Sequence, residues 1–509
     1  MDEPLRRRIA ELAGRELVAW AKVERGYTPA ERWRVGFAGG ASAFAKVGAT
    51  PLTAAWLRDE HRWYSRLRGD FLPRLLGFAD DAERPLLLLE DLSHARWPPP
   101  WGPGEIERLV ATLARVAAAR PLPSELEPLE ARRPVLSNWN EIATDPGPFL
   151  SLGLCSPGWL EGALPALIAA QDAAPLAGDD LVHFDVRSDN VCLLPDRVVL
   201  VDWNLPARGN RAFDLACLAP SLRLEGGPLP EATLPDAGPL AAMIAGHFAA
   251  HAGQPPVPGA PRVRWIQLRQ LRVALPWAAR SLGLPAPDLP WARREGERLD
   301  AVLAAGAIDE AAWYERNEEA RADAYLASDD PRAQSGNGGD EVDWRWSREL
   351  ILDALPAGGS LLDVGCANGY LMESAHRWGA ERGVAVEPHG LDLSWRLAAL
   401  ARRRLPHWAD RVWVGNVIDW APPRRFDLVH LGLDYAPAAR RRELVERALV
   451  RLVAPGGRLV FRAERVTPGG PDVVADVRAL GFVVGGVAER AHPRTGVLRR
   501  TAWVDAPSS

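Results

Sequence analysis

Apolar and polar positions along the chain follow three successive patterns. Residues 1 to about 92 contain alternating stretches such as RWRVGF and SAFAKVG, a helical pattern from about Thr53 to Leu67, and the apolar run PLLLLE. From about 103 to 303 the period is mostly helical, with one apolar hairpin near 191–201. The Pro-rich segment RWPPPWGPGE between these regions predicts a loop.

Beyond residue 305, short apolar strands alternate with helical patterns. The strand candidates are SLLDVG, HGLDLS, RVWVGN, FDLVHL and GGRLVF. Strands that alternate with helices predict βαβ units and a mostly parallel sheet. We therefore predict a multidomain protein with boundaries at 1–92, 93–305 and 308–509. The first two regions form an α+β pair of lobes, and the third is an α/β domain.

Composition narrows the class of protein. A chain of 509 residues is too long for one core, and a net charge of −5 favours neither nucleic acid nor a membrane as partner. Nothing approaches the roughly 20 apolar residues that cross a bilayer. Cys155, Cys192, Cys217 and Cys366 are far apart, which suits free thiols in a reducing compartment. We expect a cytoplasmic protein, and its oligomeric state stays open.

The segment LVHFDVRSDNVCLLPDRVVLVDWN, residues 181–204, concentrates the candidate chemistry of the first two regions. VCLL and VVLV are short strands joined by PDR, so they predict a tight antiparallel hairpin. Asn190 precedes the first strand and Asp202 follows the second, which makes them neighbours at the open end. Two oxygen donors there suit Mg²⁺ beneath a triphosphate. Asp185, on the loop before them, is placed to accept a hydroxyl proton.

This order of motifs resembles the aminoglycoside phosphotransferase family, which has the bilobal kinase-like fold. The resemblance spans roughly 1–303 and rests on HFDVRSDN, VDWN and FDLA. It implies that Asp185 is the catalytic base, that Asn190 and Asp202 bind Mg²⁺, and that ATP is the phosphoryl donor.

The same resemblance gives roles to three neighbours of the catalytic loop. His183 is the structural histidine that braces the loop. Arg187 contacts the γ-phosphate or has a purely structural role. Asp214, in AFDLA, fixes the loop by hydrogen bonds rather than by chemistry.

A buried carboxylate in the first region supports this interpretation. Glu60 lies on the apolar stripe of its helix with Trp63 and Tyr64, and such a carboxylate is costly unless it is paired. The resemblance implies Lys46 on the preceding strand as its partner, a lysine that also holds the α- and β-phosphates of ATP. Lys22 and Lys46 are the only lysines in the chain.

Two further nucleotide contacts follow from the resemblance. The segment RGYTPAERWRV takes the place of the loop that covers the phosphates, with Gly26 as its candidate for close approach. LLLLEDLS resembles the hinge between lobes, where backbone groups from Glu90 to Leu92 would bind adenine. The acceptor is a small molecule of open identity. A cationic aminoglycoside needs acids such as Glu225, whereas choline, amino-alcohol, sugar or nucleoside acceptors fit equally well.

The third region carries a different nucleotide motif. SLLDVGCANGYL is a strand, a turn and a helix, with Asp363 ahead of Gly365, Ala367 and Gly369. This G-x-A-x-G spacing is tighter than a dinucleotide fingerprint. It resembles motif I of class I S-adenosylmethionine-dependent methyltransferases, which have a Rossmann-like, mostly parallel seven-stranded sheet.

The following strands supply the other expected contacts with S-adenosylmethionine. Asp392 directly precedes a helix capped by Ser394, which favours it as the ribose ligand; Glu387 lies nearer the usual spacing and is the alternative. Asn416 and Val417 occupy the adenine position that the resemblance implies. His430, Asp434 and Tyr435 end or follow the fourth strand, where an acceptor could be held or where they serve structure alone.

The sequence therefore predicts a bifunctional enzyme. It combines ATP-dependent phosphorylation of a hydroxyl on a small molecule with S-adenosylmethionine-dependent methylation of a small molecule. The alternative is a scaffold or sensor in which one half binds its nucleotide without turnover.

Overall fold

The computed structural model describes residues 1–23, 30–81, 83–257, 262–288, 299–337, 339–466 and 472–507. The chain divides into two compact units, Met1–Leu289 and Pro290–Ser509. No helix within these described ranges is long and apolar enough to cross a membrane. All four cysteines are free thiols, as the sequence predicted.

The first part of unit 1 is an antiparallel sheet with helices α1 and α2. The sheet has five strands in the order β1-β2-β3-β5-β4. Its elements are α1 (Glu3–Ala13), β1 (Leu17–Lys22), β2 (Glu31–Phe37), β3 (Ser42–Val47), α2 (Pro51–Arg66), β4 (Leu75–Ala79) and β5 (Leu86–Glu90).

Helix α2 begins sharply because of its first residues. The Thr50 hydroxyl accepts from the Thr53 backbone N–H and Thr53 caps in return, while Pro51 occupies the first turn. A side chain at Gly48 would meet the Cα of Ala54 at 2.9 Å, so glycine lets the end of β3 pass close to the helix. This start places Glu60 on the helix face that is buried.

The second part of unit 1 is mainly helical. The predicted hairpin forms, with Val191 opposite Leu200 in β7 and β8. A second short pair, β6 with β9, was not predicted. The elements are α3 (Glu105–Ala117), α4 (Arg133–Leu136), α5 (Trp139–Thr144), α6 (Gly147–Leu150), α7 (Pro157–Asp172), β6 (Asp180–Val182), β7 (Val191–Leu193), β8 (Val198–Leu200), β9 (Ala207–Gly209), α8 (Ala212–Leu224), α9 (Pro230–Thr233), α10 (Gly238–Ala252) and α11 (Val263–Ser281).

Unit 2 is built on a mixed sheet with the order β12-β11-β10-β13-β14-β17-β15, and β16 pairs with β17. The first five strands run parallel and β17 is antiparallel to β14. Its elements are α12 (Glu310–Leu326), α13 (Glu341–Arg348), β10 (Gly359–Val364), α14 (Tyr370–Glu381), β11 (Val386–Asp392), α15 (Trp395–Arg404), β12 (Val412–Val414), β13 (Phe426–Leu431), α16 (Arg441–Arg451), β14 (Val453–Phe461), β15 (Glu464–Arg465), α17 (Val473–Ala479), β16 (Gly486–Ala491) and β17 (Leu498–Asp505).

Both faces of this sheet are buried. Leu361 packs with Trp344 and Trp378 on one face, whereas its neighbour Leu362 packs with Leu444 on the other. The prediction of seven strands was wrong by one, because β17 extends past β14 and its free length pairs with the two-residue strand β15.

Candidate functional sites

In unit 1, the side chain of Lys46 contacts two of the other predicted site residues, Glu60 and Asp202. Lys46 is only 7% exposed and donates to Glu60, as the sequence predicted. It also lies 2.6 Å from Oδ1 of Asp202, which the sequence did not predict as a contact. The lysine thus joins β3, α2 and the segment after β8.

The carboxylates of Asp202 and Glu60 keep Lys46 charged. Burial opposes the charge of Lys46, but Asp202 and Glu60 outweigh it and raise its pKa. Burial raises the pKa of Glu60 to about 7, with Lys46 opposing the shift. Burial acts in the same direction on Asp202, whose side chain is still 39% exposed, but Lys46 prevails and lowers its pKa to about 2.

Tyr64 holds the backbone at Asp202. Its hydroxyl accepts from the Asp202 N–H at 3.1 Å, and Asp202 adopts a φ of 62°, in the left-handed region. A residue other than glycine needs support in that conformation. The sequence showed Tyr64 only as part of an apolar stripe, so its polar role was missed.

Hydrogen bonds of His183 and Asp214 fix the loop before β7. The carboxylate of Asp214 accepts from the backbone N–H of His183 at 2.8 Å and of Phe184 at 2.9 Å, while His183 Nε2 lies 3.0 Å from the carbonyl of Val201. Phe184 has a φ of 78°. The bracing that the resemblance implied for both residues agrees with these contacts.

Asp185 and Asn190 lie next to each other in the segment before β7. The Asn190 amide donates to the Asp185 carbonyl at 3.0 Å and to its carboxylate at 3.2 Å. The backbone N–H of Val201 bonds the Asn190 carbonyl at 2.9 Å, which places Asn190 beside the segment that carries Asp202. These bonds leave the amide oxygen of Asn190 available as a metal ligand.

The donors present suit a magnesium ion. Asn190 and Asp202 offer one amide oxygen and one partly exposed carboxylate at the open end of the hairpin. In the described part of the chain, no group of three or more His, Cys, Asp or Glu side chains is placed to hold a metal. A Mg²⁺ ion here would therefore take its other ligands from phosphate oxygens and water, as Mg²⁺ commonly does.

Arg187 is held by acids of its own loop. Its guanidinium makes two 3.0 Å bonds to Asp189 and lies 3.7 Å from Asp185. Both alternatives for Arg187, a phosphate contact and a structural role, stay open.

Two of the residues expected at the adenine site make hydrogen bonds within the protein. The Leu92 carbonyl accepts from Ala95 N–H at 3.0 Å and Trp97 Nε1 at 3.1 Å, which occupies one of the expected hinge groups. Glu90 ends β5, and its carboxylate bonds Arg197 at 2.7 Å. Gly26 lies outside the described residues.

Glu225 does not stand free as a ligand for a cationic acceptor. Its carboxylate accepts from the Ser188 hydroxyl and, at 2.7 Å, from Trp101 Nε1. Burial raises the pKa of Glu225 to about 7. Glu225 therefore ties the loop before β7, through Ser188, to the Pro-rich linker, through Trp101.

Unit 2 contains a cavity at the carboxyl ends of its parallel strands. Asp392, Asn416 and Val417 lie on its wall, with Gly365 from the motif after β10. The opposite wall comes from one face of α12, through Asn317, Glu318, Arg321 and Tyr325. This helix was not predicted from the sequence. Its signal was the spacing of four between residues 317, 321 and 325.

The loop after β10 adopts repeated left-handed conformations. Gly365, Ala367 and Gly369 have φ values of 74°, 50° and 76°. A side chain at Gly365 would meet the Tyr435 hydroxyl at 2.3 Å. Both glycines are needed for their conformation, and Ala367 holds a conformation that glycine would adopt more easily.

The structure separates the two candidate ribose ligands. Asp392 is 7% exposed, and its two carboxylate oxygens each accept a backbone N–H at 2.8 Å, from Ala367 and Ser394. Burial raises its pKa to about 6 against these bonds. Glu387 lies at a separate cleft with Arg411 and Arg424.

Asp363, and the polar residues that end or follow β13, are bonded to other side chains of unit 2. Asp363 bonds His430 Nδ1 at 2.8 Å, and both are buried. Asp434 bonds Arg321 at 2.8 Å and Arg462 at 2.9 Å. Burial alone would raise the pKa of Asp434, but the two guanidiniums hold it far below its usual range.

Comparison with solved structures gives partial likenesses. A SAM-dependent methyltransferase from Aquifex aeolicus is 15% identical, with 35% of this chain and 100% of that chain covered and a TM-score of 0.27. The sugar N-methyltransferase KedS8 from Streptoalloteichus sp ATCC 53650 is 22% identical, with 35% and 76% covered and a TM-score of 0.21. A putative fructosamine-3-kinase from Haemophilus somnus 129PT is 10% identical, with 55% and 95% covered and a TM-score of 0.29.

These TM-scores are too low to establish a common fold. The family comparison is more specific, because residues 19–243 match the model of the phosphotransferase enzyme family (APH). That range includes Lys46, Glu60, Asp185, Asn190 and Asp202. Over residues 19–243 the chain is therefore similar to the phosphotransferase enzyme family.

Proposed function

We propose that this protein is a bifunctional enzyme that phosphorylates a hydroxyl group of a small molecule with ATP and methylates a small molecule with S-adenosylmethionine. The phosphotransferase half is supported by one observation above all. Lys46, Asp202, Asn190 and Asp185 lie along a chain of direct or adjacent contacts within the residues that match the phosphotransferase enzyme family.

Each of these residues has a distinct task in phosphoryl transfer. Asp185 accepts the proton of the acceptor hydroxyl, and the Asn190 amide orients its carboxylate. Lys46 holds phosphate oxygens as a buried ammonium that Glu60 keeps in place. Asn190 and Asp202 hold Mg²⁺, which neutralises phosphate charge when bound.

An acceptor screen tests the phosphotransferase half. The full chain is incubated with ATP, Mg²⁺, S-adenosylmethionine and a panel of amino alcohols, sugars, nucleosides and aminoglycosides, and products are detected by mass spectrometry. We expect phosphorylated products that disappear in Asp185→Asn. The control is Asp196→Asn, in the exposed turn at the far end of the same hairpin. Unchanged turnover in Asp185→Asn would remove Asp185 from the mechanism, and ATP binding without any product would favour a sensor.

The methyltransferase half is supported by the cavity at the carboxyl ends of the strands in unit 2. Open sheets of this kind bind ligands at that edge. Asp392, Asn416 and Val417 line this cavity. Asp392 would bind the ribose, and Asn416 and Val417 would flank the adenine. The parallel strands with an antiparallel β17 resemble the class I methyltransferase sheet. S-adenosylmethionine supplies the methyl group, so the protein's own task is to hold donor and acceptor in line.

Calorimetric titration of S-adenosylmethionine into the full chain tests this half directly. We expect saturable binding with one site per chain. Folded protein that shows no saturable binding would refute the cofactor assignment. We also propose that both acceptors are small molecules and that the protein is cytoplasmic, the latter supported by its four free cysteines.

A further inference from the structure

Four arginines gather at the edge of the unit 2 sheet that bears the cavity. Arg321 lies on α12 and on the wall of the cavity. Arg348 ends α13, Arg462 follows the end of β14, and Arg499 is the second residue of the antiparallel strand β17. We call these four residues the arginine cluster.

Two members of the cluster are neutralised and two are not. Arg321 and Arg462 share the carboxylate of Asp434, and Glu464 lies 3.7 Å from Arg462. Among the described residues, Arg348 and Arg499 have no carboxylate within 4.0 Å.

Aromatic rings and a carbonyl position these two guanidiniums instead. Arg348 lies 5.2 Å from the ring centroid of Trp344, and Arg499 lies 4.8 Å from that of Trp346. Arg499 also donates to the Ala463 carbonyl at 2.9 Å, while its Nε is buried without a partner. Both groups are thus held in place with unused hydrogen-bond donors.

The members of the cluster repel one another. Burial lowers the pKa of Arg348, and the charge of Arg462 lowers it further, although Asp363, Tyr325 and Tyr435 oppose the shift. Burial, then Arg348 and Arg465, lower the pKa of Arg499 to about 10, although Glu464 opposes the shift. Holding like charges together in a partly buried place costs stability unless an anion joins them.

We propose that the arginine cluster binds a phosphate monoester carried by the methyl acceptor. This inference rests on the proposed function, since the tyrosines in the field of Arg348 also line the cavity assigned to the methyl donor. Guanidinium groups bind phosphate through paired hydrogen bonds. A phosphate monoester carries a charge of about −1.5 to −2 at pH 7, enough to neutralise two guanidiniums. A carboxylate carries a single negative charge and would neutralise only one of them.

This assignment gives the two units a chemical order. Phosphoryl transfer to a hydroxyl produces a phosphate monoester, so the product class of unit 1 is the substrate class of unit 2. The methyl acceptor is accordingly a phosphorylated small molecule, and methylation follows phosphorylation.

Titration of inorganic phosphate into the full chain tests the proposal, with S-adenosylhomocysteine present at saturation. We expect the double variant Arg348→Gln, Arg499→Gln to bind phosphate about tenfold or more weakly, because charged hydrogen bonds are lost. Arg403→Gln, on the exposed face of α15, makes the same chemical change and should leave the affinity unchanged. Lys46→Met should also retain this binding, which separates it from phosphate bound in unit 1.

Three outcomes would overturn the proposal. Equal phosphate affinity in the double variant would remove the cluster from binding. Acetate binding as tightly as phosphate would point to a carboxylate acceptor. Competition between phosphate and S-adenosylhomocysteine would assign the arginines to the methionine carboxylate of the cofactor. Absence of S-adenosylhomocysteine binding would instead refute the methyltransferase half itself.

Thermal unfolding provides a second measurement that does not need a well-folded double variant. Phosphate should raise the unfolding temperature of the wild-type unit 2 transition more than chloride does at equal ionic strength. Each single variant, Arg348→Gln or Arg499→Gln, should lose part of that increase. Equal increases from phosphate and chloride in the wild type would also overturn the proposal.

Discussion

The ammonium group of Lys46 lies 2.6 Å from Oδ1 of Asp202, a residue 156 positions further along the chain. The same group donates to Glu60. One buried cation therefore connects the sheet, helix α2 and the segment that follows the β7–β8 hairpin. In a complex with ATP, Lys46 would hold phosphate oxygens and Asp202 would be a ligand for Mg²⁺.

Lys46→Arg should reduce ATP affinity and phosphoryl transfer. The guanidinium is wider than the ammonium, and the lysine is only 7% exposed between two carboxylates, so the larger group forces its neighbours apart. We expect kcat/KM for ATP to fall by roughly tenfold or more, a loss of about 1.4 kcal/mol.

The chain offers a matched control for this change. Lys22→Arg alters the other lysine, which is exposed on β1, and should leave kcat/KM for ATP unchanged. Initial rates at varied ATP concentration measure both variants. Equal kinetics for Lys46→Arg and Lys22→Arg would mean that the size of the Lys46 side chain has no part in catalysis.

The contacts of this site differ in how far the sequence could predict them. The pair of Lys46 and Glu60 was expected, because a carboxylate on an apolar helix stripe needs a cation and the family resemblance implied Lys46 as that cation. The bonds of Asp202 to Lys46 and to Tyr64 were not, since they join residues 156 and 138 positions apart. Such contacts depend on how the lobes pack, which periodicity does not record.

In unit 2, too, the sequence predicted the local features but not the contacts that depend on packing. The motif after β10 and the capped helix after Asp392 were visible, because turns and caps are local. The covering helix α12 was not, since its polar residues give it no strong apolar stripe. The sequence favoured Asp392 and kept Glu387 as the alternative, and only the fold places Asp392 on the cavity and Glu387 at a separate cleft.

Glu225→Gln should change how stability depends on pH. The folded pKa of Glu225, about 7, lies above its ordinary value of 4.5, so the folded state retains a proton between these values. Its contribution to stability is complete below pH 4.5 and is lost as the pH rises through 7. Glutamine can accept from Trp101 and donate to Ser188 without ionising.

The free energy of unfolding of the wild type should therefore fall relative to Glu225→Gln by roughly 2 kcal/mol between pH 4.5 and 8. The measurement is thermal unfolding across this range, following the transition that ATP and Mg²⁺ shift. Glu107→Gln, exposed on α3, should run parallel to the wild type. A parallel curve for Glu225→Gln as well would show that Glu225 ionises normally in the fold.

Asp392→Asn should weaken S-adenosylmethionine binding more than Glu387→Gln does. Ala367 and Ser394 donate to different oxygens of the carboxylate, and asparagine replaces one of these oxygens with an NH2 donor, so one buried N–H loses its partner. We expect about a tenfold or greater loss of affinity for Asp392→Asn, and a change below about twofold for Glu387→Gln. Calorimetric titration measures both, and the reverse ranking would make Glu387 the ribose ligand.

Gly365→Ala should lower both the stability of unit 2 and its affinity for S-adenosylmethionine. At a φ of 74° an alanine is strained, which costs roughly 1 kcal/mol. Its Cβ would also meet the Tyr435 hydroxyl at 2.3 Å, and overpacking of this kind costs about 1–3 kcal/mol more.

Gly383→Ala separates the two effects, because Gly383 has a φ of 75° and no atom within 4 Å of the added Cβ. Urea unfolding should give a loss for Gly365→Ala that exceeds that of Gly383→Ala, and only Gly365→Ala should impair cofactor binding. Equal losses of stability with intact binding would mean that Tyr435 moves aside freely and does not shape the cavity.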